Sequence, residues 1–189
     1  MSNDKIVLDV ETKNSFYDVG SENTNALEIS FIGAYSYNQN AYLSFFENEF
    51  DKLAKLLKST RLIVGFCIRR FDLPVMKKYF NFDINAIPNL DLFEDIEKAV
   101  GFRVGLGALS YANLGVNKTG HGLEAIELYK SGRLEELKNY CLHDVKLTKE
   151  LYELAQKQGY LWVPRRDNPE MIKLSLDYQE KISPQAQLL

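Results

Sequence analysis

The chain of 189 residues carries 23 basic against 26 acidic side chains, a formal net charge of −3, and 46% apolar residues. This length and composition accommodate one domain with its own core, and the charge balance excludes a global positive field as the means of holding a polyanion. Cys67 and Cys141 lack C-x-x-C or metal-ligand spacing, the first apolar run has no signal-peptide core, and no apolar stretch approaches the roughly 18 residues of a membrane span, so a cytoplasmic protein without membrane contact is expected.

Lys5 to Glu11 reads as a buried strand, because Ile6, Val7 and Leu8 form a continuous apolar run that ends in carboxylates. Leu27 to Tyr37 and Ala41 to Phe46, separated by Asn38-Gln39-Asn40, read as a hairpin extending that sheet. A helix over Asn48 to Lys58 and a second buried strand from Arg61 to Cys67 follow. After Asp72 the pattern turns helical, with Pro74 tolerated in the first turn. A short strand near Ala86 to Leu90 precedes helices over Leu92 to Val100, Leu106 to Leu114, Gly122 to Lys130 and Leu134 to Gln158, with Gly115 and the pair Ser131-Gly132 as breakers. Early strands and late helices predict a mixed α/β sheet with helices on its faces over residues 1–163, followed by a polar, irregular tail over 164–189.

Asp9-Val10-Glu11 is common as a bare pattern, and Asp95-Ile96-Glu97 repeats it. On a strand, residues two apart share a face, whereas on a helix they point about 200° apart, so only Asp9 and Glu11 can converge. Solvent exposure of a polar strand end is the bland alternative. Two convergent carboxylates at the end of a buried strand repel and lose hydration unless a cation joins them, and oxygen donors suit Mg2+ or Mn2+. Advancing about 100° per residue from Leu134 places Leu137, Tyr140, Cys141, Leu147, Thr148, Leu151 and Ala155 within roughly 60° of Asp144. Asp144 is therefore the one acid of that helix directed at the core, and it needs an Arg, a hydrogen-bond network or a metal. Tyr140 lies one turn earlier on the same face, where its hydroxyl either serves the same site or merely bonds Asp144 within the core. Asp72 reads equally as a helix N-cap and as a carboxylate facing an ion.

Other motifs carry less. The segment from Gly115 through Lys118 and Thr119 to His121 lacks the order of a phosphate-binding P-loop, and His121 and His143 are too few for a histidine cluster. Arg69, Arg70, Lys77 and Lys78 flank Asp72 and are candidates for nucleic-acid backbone contacts, and Phe16 for base stacking.

The order Asp9-x-Glu11, then Gly65-Phe66-Cys67-Ile68-Arg69-Arg70-Phe71-Asp72-Leu73-Pro74, then Tyr140-Cys141-Leu142-His143-Asp144 resembles the DEDD exonuclease superfamily in its tyrosine-containing branch. In the histidine-containing branch the key residue stands five positions before the last Asp, here Asn139. Leu8-Asp-Val-Glu-Thr12 is most similar to the proofreading domains of family B DNA polymerases and to ribonuclease H-like exonucleases, some of them helicase-associated. The resemblance spans Ile6 to Leu154 and implies a ribonuclease H-like mixed sheet flanked by helices. It further implies 3′→5′ hydrolysis of single-stranded nucleic acid with a free 3′ end, DNA slightly favoured over RNA, and two divalent ions, Mg2+ or Mn2+. By that resemblance Asp9, Glu11 and Asp144 hold one ion, Asp9 and Asp72 the second, Tyr140 the nucleophilic water and Thr12 the terminal nucleotide, and a helicase or polymerase is the expected partner. Cys67 departs from the Asn common at its position, which bears on substrate positioning. An endonuclease of the same fold and a non-catalytic nucleic-acid-binding domain are the competing readings.

Overall fold

A computed structural model describes residues 3–118, 120, 122–166 and 169–178. The apolar run forms β1 (Asp4–Thr12), buried along nearly its whole length. It pairs antiparallel with β2 (Ile29–Ser36), which pairs antiparallel with β3 (Ala41–Phe45). On its other side β1 runs parallel to β4 (Thr60–Gly65), and β4 parallel to β5 (Asn89–Asp91), so the order is β3-β2-β1-β4-β5. The continuous apolar composition of β1 follows from this central place, since both of its faces are covered. Ile6, Leu8 and Val10 enter one core with α2 (Phe50–Lys58) and α3 (Asp72–Met76). Val7 enters the other with α4 (Leu92–Val100), α5 (Leu106–Leu114) and α7 (Leu134–Gln158). The short α1 (Phe16–Val19) and α6 (Gly122–Lys130) lie near the end of β1.

The helices from residue 92 onward keep their expected bounds, because caps and breakers mark them; Gly115, at φ 69°, closes α5 through its N–H to the Tyr111 carbonyl. Earlier boundaries shift by one to three residues, three of them for a local reason. A 3-10 turn over Glu47–Glu49 precedes α2. The Asp83 side chain caps a 3-10 turn over Ile84–Ala86 and so delays β5 to Asn89. The fourth strand stops at Gly65 rather than Cys67, because the chain folds back there: a Cβ on Gly65 would sit 2.0 Å from Ile68 Cγ2 and 3.1 Å from the Leu8 carbonyl.

The expectation of an irregular segment after Pro164 is corrected. β6 (Tyr160–Pro164) and β7 (Met171–Ser175) form an antiparallel hairpin. Leu161 and Val163, with Ile172, Leu174, Leu176 and Tyr178, close the core beside α7. Each strand has only five residues, so alone it reads as loop, and the pairing supplies what the local pattern lacks. Residues 179–189 lie outside the described residues. Among the described residues no helix is long and apolar enough to cross a membrane.

Candidate active site

Strand register creates the site. Pairing of β1 with β4 ends at Val7↔Val64, so the carboxylate end of β1 runs past its parallel neighbour, leaving room for the chain between Gly65 and Asp72. On the other side Asp9 pairs with Gly33 of β2. A Cβ on Gly33 would meet Cys141 Sγ at 2.9 Å, Val145 Cγ2 at 3.1 Å and Leu142 Cδ2 at 3.2 Å. The missing side chain lets α7 lie against the sheet there, and this close approach sets Tyr140 and Asp144 over the end of β1. Every residue expected on the inward face of α7 is buried, with Val145 and Tyr152 in addition, because α7 packs against α5 and β6 as well as the sheet.

Asp9, Glu11 and Asp144 line an open cavity of about 380 Å3. Glu11, Asp72 and Asp144 are buried, and Asp72 Oδ1 and Asp144 Oδ1 have no hydrogen-bond partner. One oxygen each of Asp9 and Glu11 and the Cys141 sulfur lie within 4.8 Å of one another. Cys141 donates to Asp9 Oδ2 at 3.3 Å, and burial pushes its thiol well above the usual range, so it stays a weak donor rather than a thiolate ligand. Burial first, and Asp144 second, raise Asp9 from 3.8 to about 7. Burial and then the Asp9 charge hold Glu11 and Asp72 well above the carboxylate range. Such mutual elevation is the electrostatic signature of acids gathered where a cation would relieve them.

Asp72 does not cap its helix. It is the first helical residue, Phe71 holds the N-cap position, and no side-chain cap bond forms there. Its carboxyl instead lies in the field of Asp9 and near the Val10 backbone N–H. The preceding loop is held by Asp91, fully buried, whose carboxylate accepts from the Cys67 and Arg69 N–H groups at 2.8 and 3.0 Å and also caps α4. Cys67 sits at φ 68°, a conformation that Asn adopts far more readily than Cys. Asp91 reads in sequence only as one more acid at a helix start.

Lys118 is the second residue that sequence reasoning passes over. From the loop after α5 its Nζ reaches Asp144 Oδ2 at 2.5 Å and stands 5.2 Å from the Tyr140 ring centre. Thr119 and His121 lie outside the described residues, while His143, half-buried, contacts the Asn117 carbonyl at 3.2 Å. The signal available in sequence was the need of a core-facing Asp144 for a counter-ion, but nothing local says which of 23 cations supplies it. The Tyr140 hydroxyl is buried without a hydrogen-bond partner, and burial raises it further above its ordinary value.

Of the nucleic-acid candidates, Thr12 and Phe16 line the cavity. Thr12 Oγ1 donates to the Asn14 carbonyl at 2.9 Å, and Phe16 stands edge-on to Phe71 at 6.1 Å. Arg69 and Arg70 do not join them. Arg69 bonds the Asn89 side chain and pairs with Glu94, and Arg70 pairs with Glu94 and with Glu97 at 2.6 Å, so α4 neutralises both. Lys78 is similarly spent on the Asn25 and Leu27 carbonyls. Asp95 and Glu97 diverge around the buried Ile96, as helical spacing requires.

Solved structures of similar fold include the family B DNA polymerase from the hyperthermophilic archaeon Pyrobaculum calidifontis (TM-score 0.61, 14% identity, covering 81% of this chain and 24% of that one). An exonuclease I matches with TM-score 0.57 and 14% identity over 82% of this chain and 41% of that one. E. coli exonuclease I in complex with a 5cy-dT13 oligonucleotide matches with TM-score 0.50 and 14% identity over 84% and 41%. The chain thus spans less than half the length of each. No curated protein matches the sequence. The sequence profile described as RNase_H superfamily matches residues 6–156, including all four carboxylates and Tyr140, and the chain belongs to the RNase H superfamily.

Proposed function

We propose that this protein is a divalent-metal-dependent 3′→5′ exonuclease of single-stranded nucleic acid, with DNA favoured over RNA. The observation that carries the reading is the gathering of Asp9, Glu11, Asp72 and Asp144 at one end of the sheet, with buried carboxylate oxygens lacking partners. The donor set fits hard divalent cations: all four groups are carboxylates, and their formal charge of −4 balances two such ions. Asp9, Glu11 and Asp144 would hold one, and Asp9 with Asp72 the other. Bound cations of this kind supply Lewis acidity, lowering the pKa of an attacking water and stabilising the leaving oxygen.

The remaining roles belong to the chain itself. Tyr140 is too weak an acid to act as a base at neutral pH, so its hydroxyl serves to orient the attacking water. Phe16, Phe71, Leu123 and Ile126 form an apolar wall beside the carboxylates, suited to a nucleobase while the phosphate meets the acidic side. The exonuclease I neighbours, one holding an oligonucleotide, support a single-stranded substrate, and the polarity rests on the motif resemblance. The polymerase neighbour supports a polymerase partner that presents the 3′ end, and the helicase alternative rests on the motif resemblance. Two free thiols accord with a cytoplasmic setting.

The test is digestion of 5′-labelled single-stranded DNA and RNA with Mg2+ or Mn2+. A ladder shortening from the 3′ end, blocked by an inverted 3′ nucleotide and abolished by EDTA, is expected. Equal cutting of circular single strands would replace the exonuclease by an endonuclease, and full activity in excess EDTA would remove the metal.

A further inference from the structure

Lys118 faces the acidic cluster in a way that a fixed ion pair does not require. Its Nζ holds Asp144 Oδ2 at 2.5 Å while Asp144 Oδ1 stays unpartnered, and its charge also acts on Asp9 and Tyr140. The lysine retains a quarter of its side-chain exposure, whereas Asp144 retains 3%. The acid is built into α7 and the cation is carried in from a loop. That segment leaves α5 through Gly115, at positive φ, and Lys118 Cβ rests where the missing side chain of Gly107 leaves space, 3.2 Å from a Cβ built there. A contact from His143 to the Asn117 carbonyl holds the adjacent backbone independently, so the long stem of Lys118 can move its ammonium without moving Asn117.

Charge then decides where the ammonium belongs. With all four carboxylates ionised, Lys118 leaves the cluster at a formal −3 and is strongly held. Two divalent cations in the same cluster would leave +1 with the ammonium in place, and they compete with it for Asp144 Oδ2. We propose that Lys118 is a displaceable internal counter-ion, which holds Asp144 and Asp9 in the metal-free protein and gives up that place as divalent cations enter. This rests on the reading of the cluster as a metal site and adds to it a residue that sets the metal affinity. The lysine keeps the metal-free cluster from repelling itself apart, and in return it weakens metal binding.

Calorimetric titration of Mn2+ into the full chain, with wild type, Lys118→Met and Lys118→Arg compared, tests this without reference to activity. Lys118→Met is expected to bind Mn2+ about 10- to 100-fold more tightly than wild type. It should also melt at a lower temperature without metal and show a larger Mn2+-induced rise, while Lys118→Arg, which keeps the charge, stays near wild type. If Lys118→Met does not fold without metal, competition against a chelator from the loaded protein yields the same affinity ratio. Equal, saturable Mn2+ binding by wild type and Lys118→Met would overturn the counter-ion role and leave the metal site standing. No saturable binding by either would overturn the metal site and the counter-ion role together.

Discussion

Replacing Tyr140 by Phe separates a catalytic hydroxyl from a structural one, and the geometry sets the sign of the stability change. The ring is 6% exposed and packs with Phe31, Ala125, Leu128, Leu137 and Cys141, contacts that Phe keeps. The hydroxyl has no well-formed hydrogen bond and feels only the nearby Lys118 ammonium, so its removal breaks at most a weak contact and relieves a buried polar group that costs about 1 to 3 kcal/mol when unsatisfied. For a domain of this size that corresponds to a melting temperature unchanged or raised by roughly 2 to 4 °C per kcal/mol. If the hydroxyl orients the attacking water, turnover should fall about 10- to 1000-fold, with metal affinity almost unchanged. Turnover and thermal unfolding measured on one preparation decide the matter. A loss of about 2 kcal/mol in stability with normal turnover of the folded fraction would refute the reasoning, because it would require a structural hydrogen bond from the hydroxyl.

Asp9→Ala and Asp144→Ala should each reduce turnover to near background. Without metal, Asp9→Ala should melt higher than wild type through relief of repulsion, while Asp144→Ala should gain less because it also strands Lys118; normal turnover in either would remove that carboxylate from the site. Asp9 is raised from 3.8 to about 7 in the folded chain, so the folded state binds the extra proton and metal-free stability should decline as pH rises through that interval. Saturating Mg2+ should flatten the dependence, and a metal-free melting temperature that climbs from pH 5 to pH 8 would contradict it. Cys67→Asn should stabilise the chain by about 0.5 to 1 kcal/mol in urea unfolding, since Asn suits the positive φ and the backbone bond to Asp91 is retained; destabilisation would show that the thiol's packing outweighs the strain.

Much of the site is legible locally because local periodicity is what builds it. The two-residue repeat of β1 puts Asp9 and Glu11 on one face, and the helical repeat of α7 centres Asp144 on a buried stripe with Tyr140 one turn away. These statements require only the backbone geometry of a single element. The central place of β1 is likewise written in its unbroken apolar run.

Tertiary structure decides whatever depends on a partner distant in sequence. Whether Asp72 caps a helix or faces the cluster is settled by the register of β1 on β4 and by Asp91 holding the loop between them. Whether Arg69 and Arg70 are free is settled by the approach of α4, whose glutamates neutralise them. The strands after α7 exist because each supplies the other's hydrogen bonds, and Lys118 meets Asp144 because the packed chain sets it beside the carboxylate end of β1. A charge or an unpaired strand edge carries no mark of its future partner, because electrostatic and backbone pairing energies depend on distance in space, and only the packed chain sets that distance.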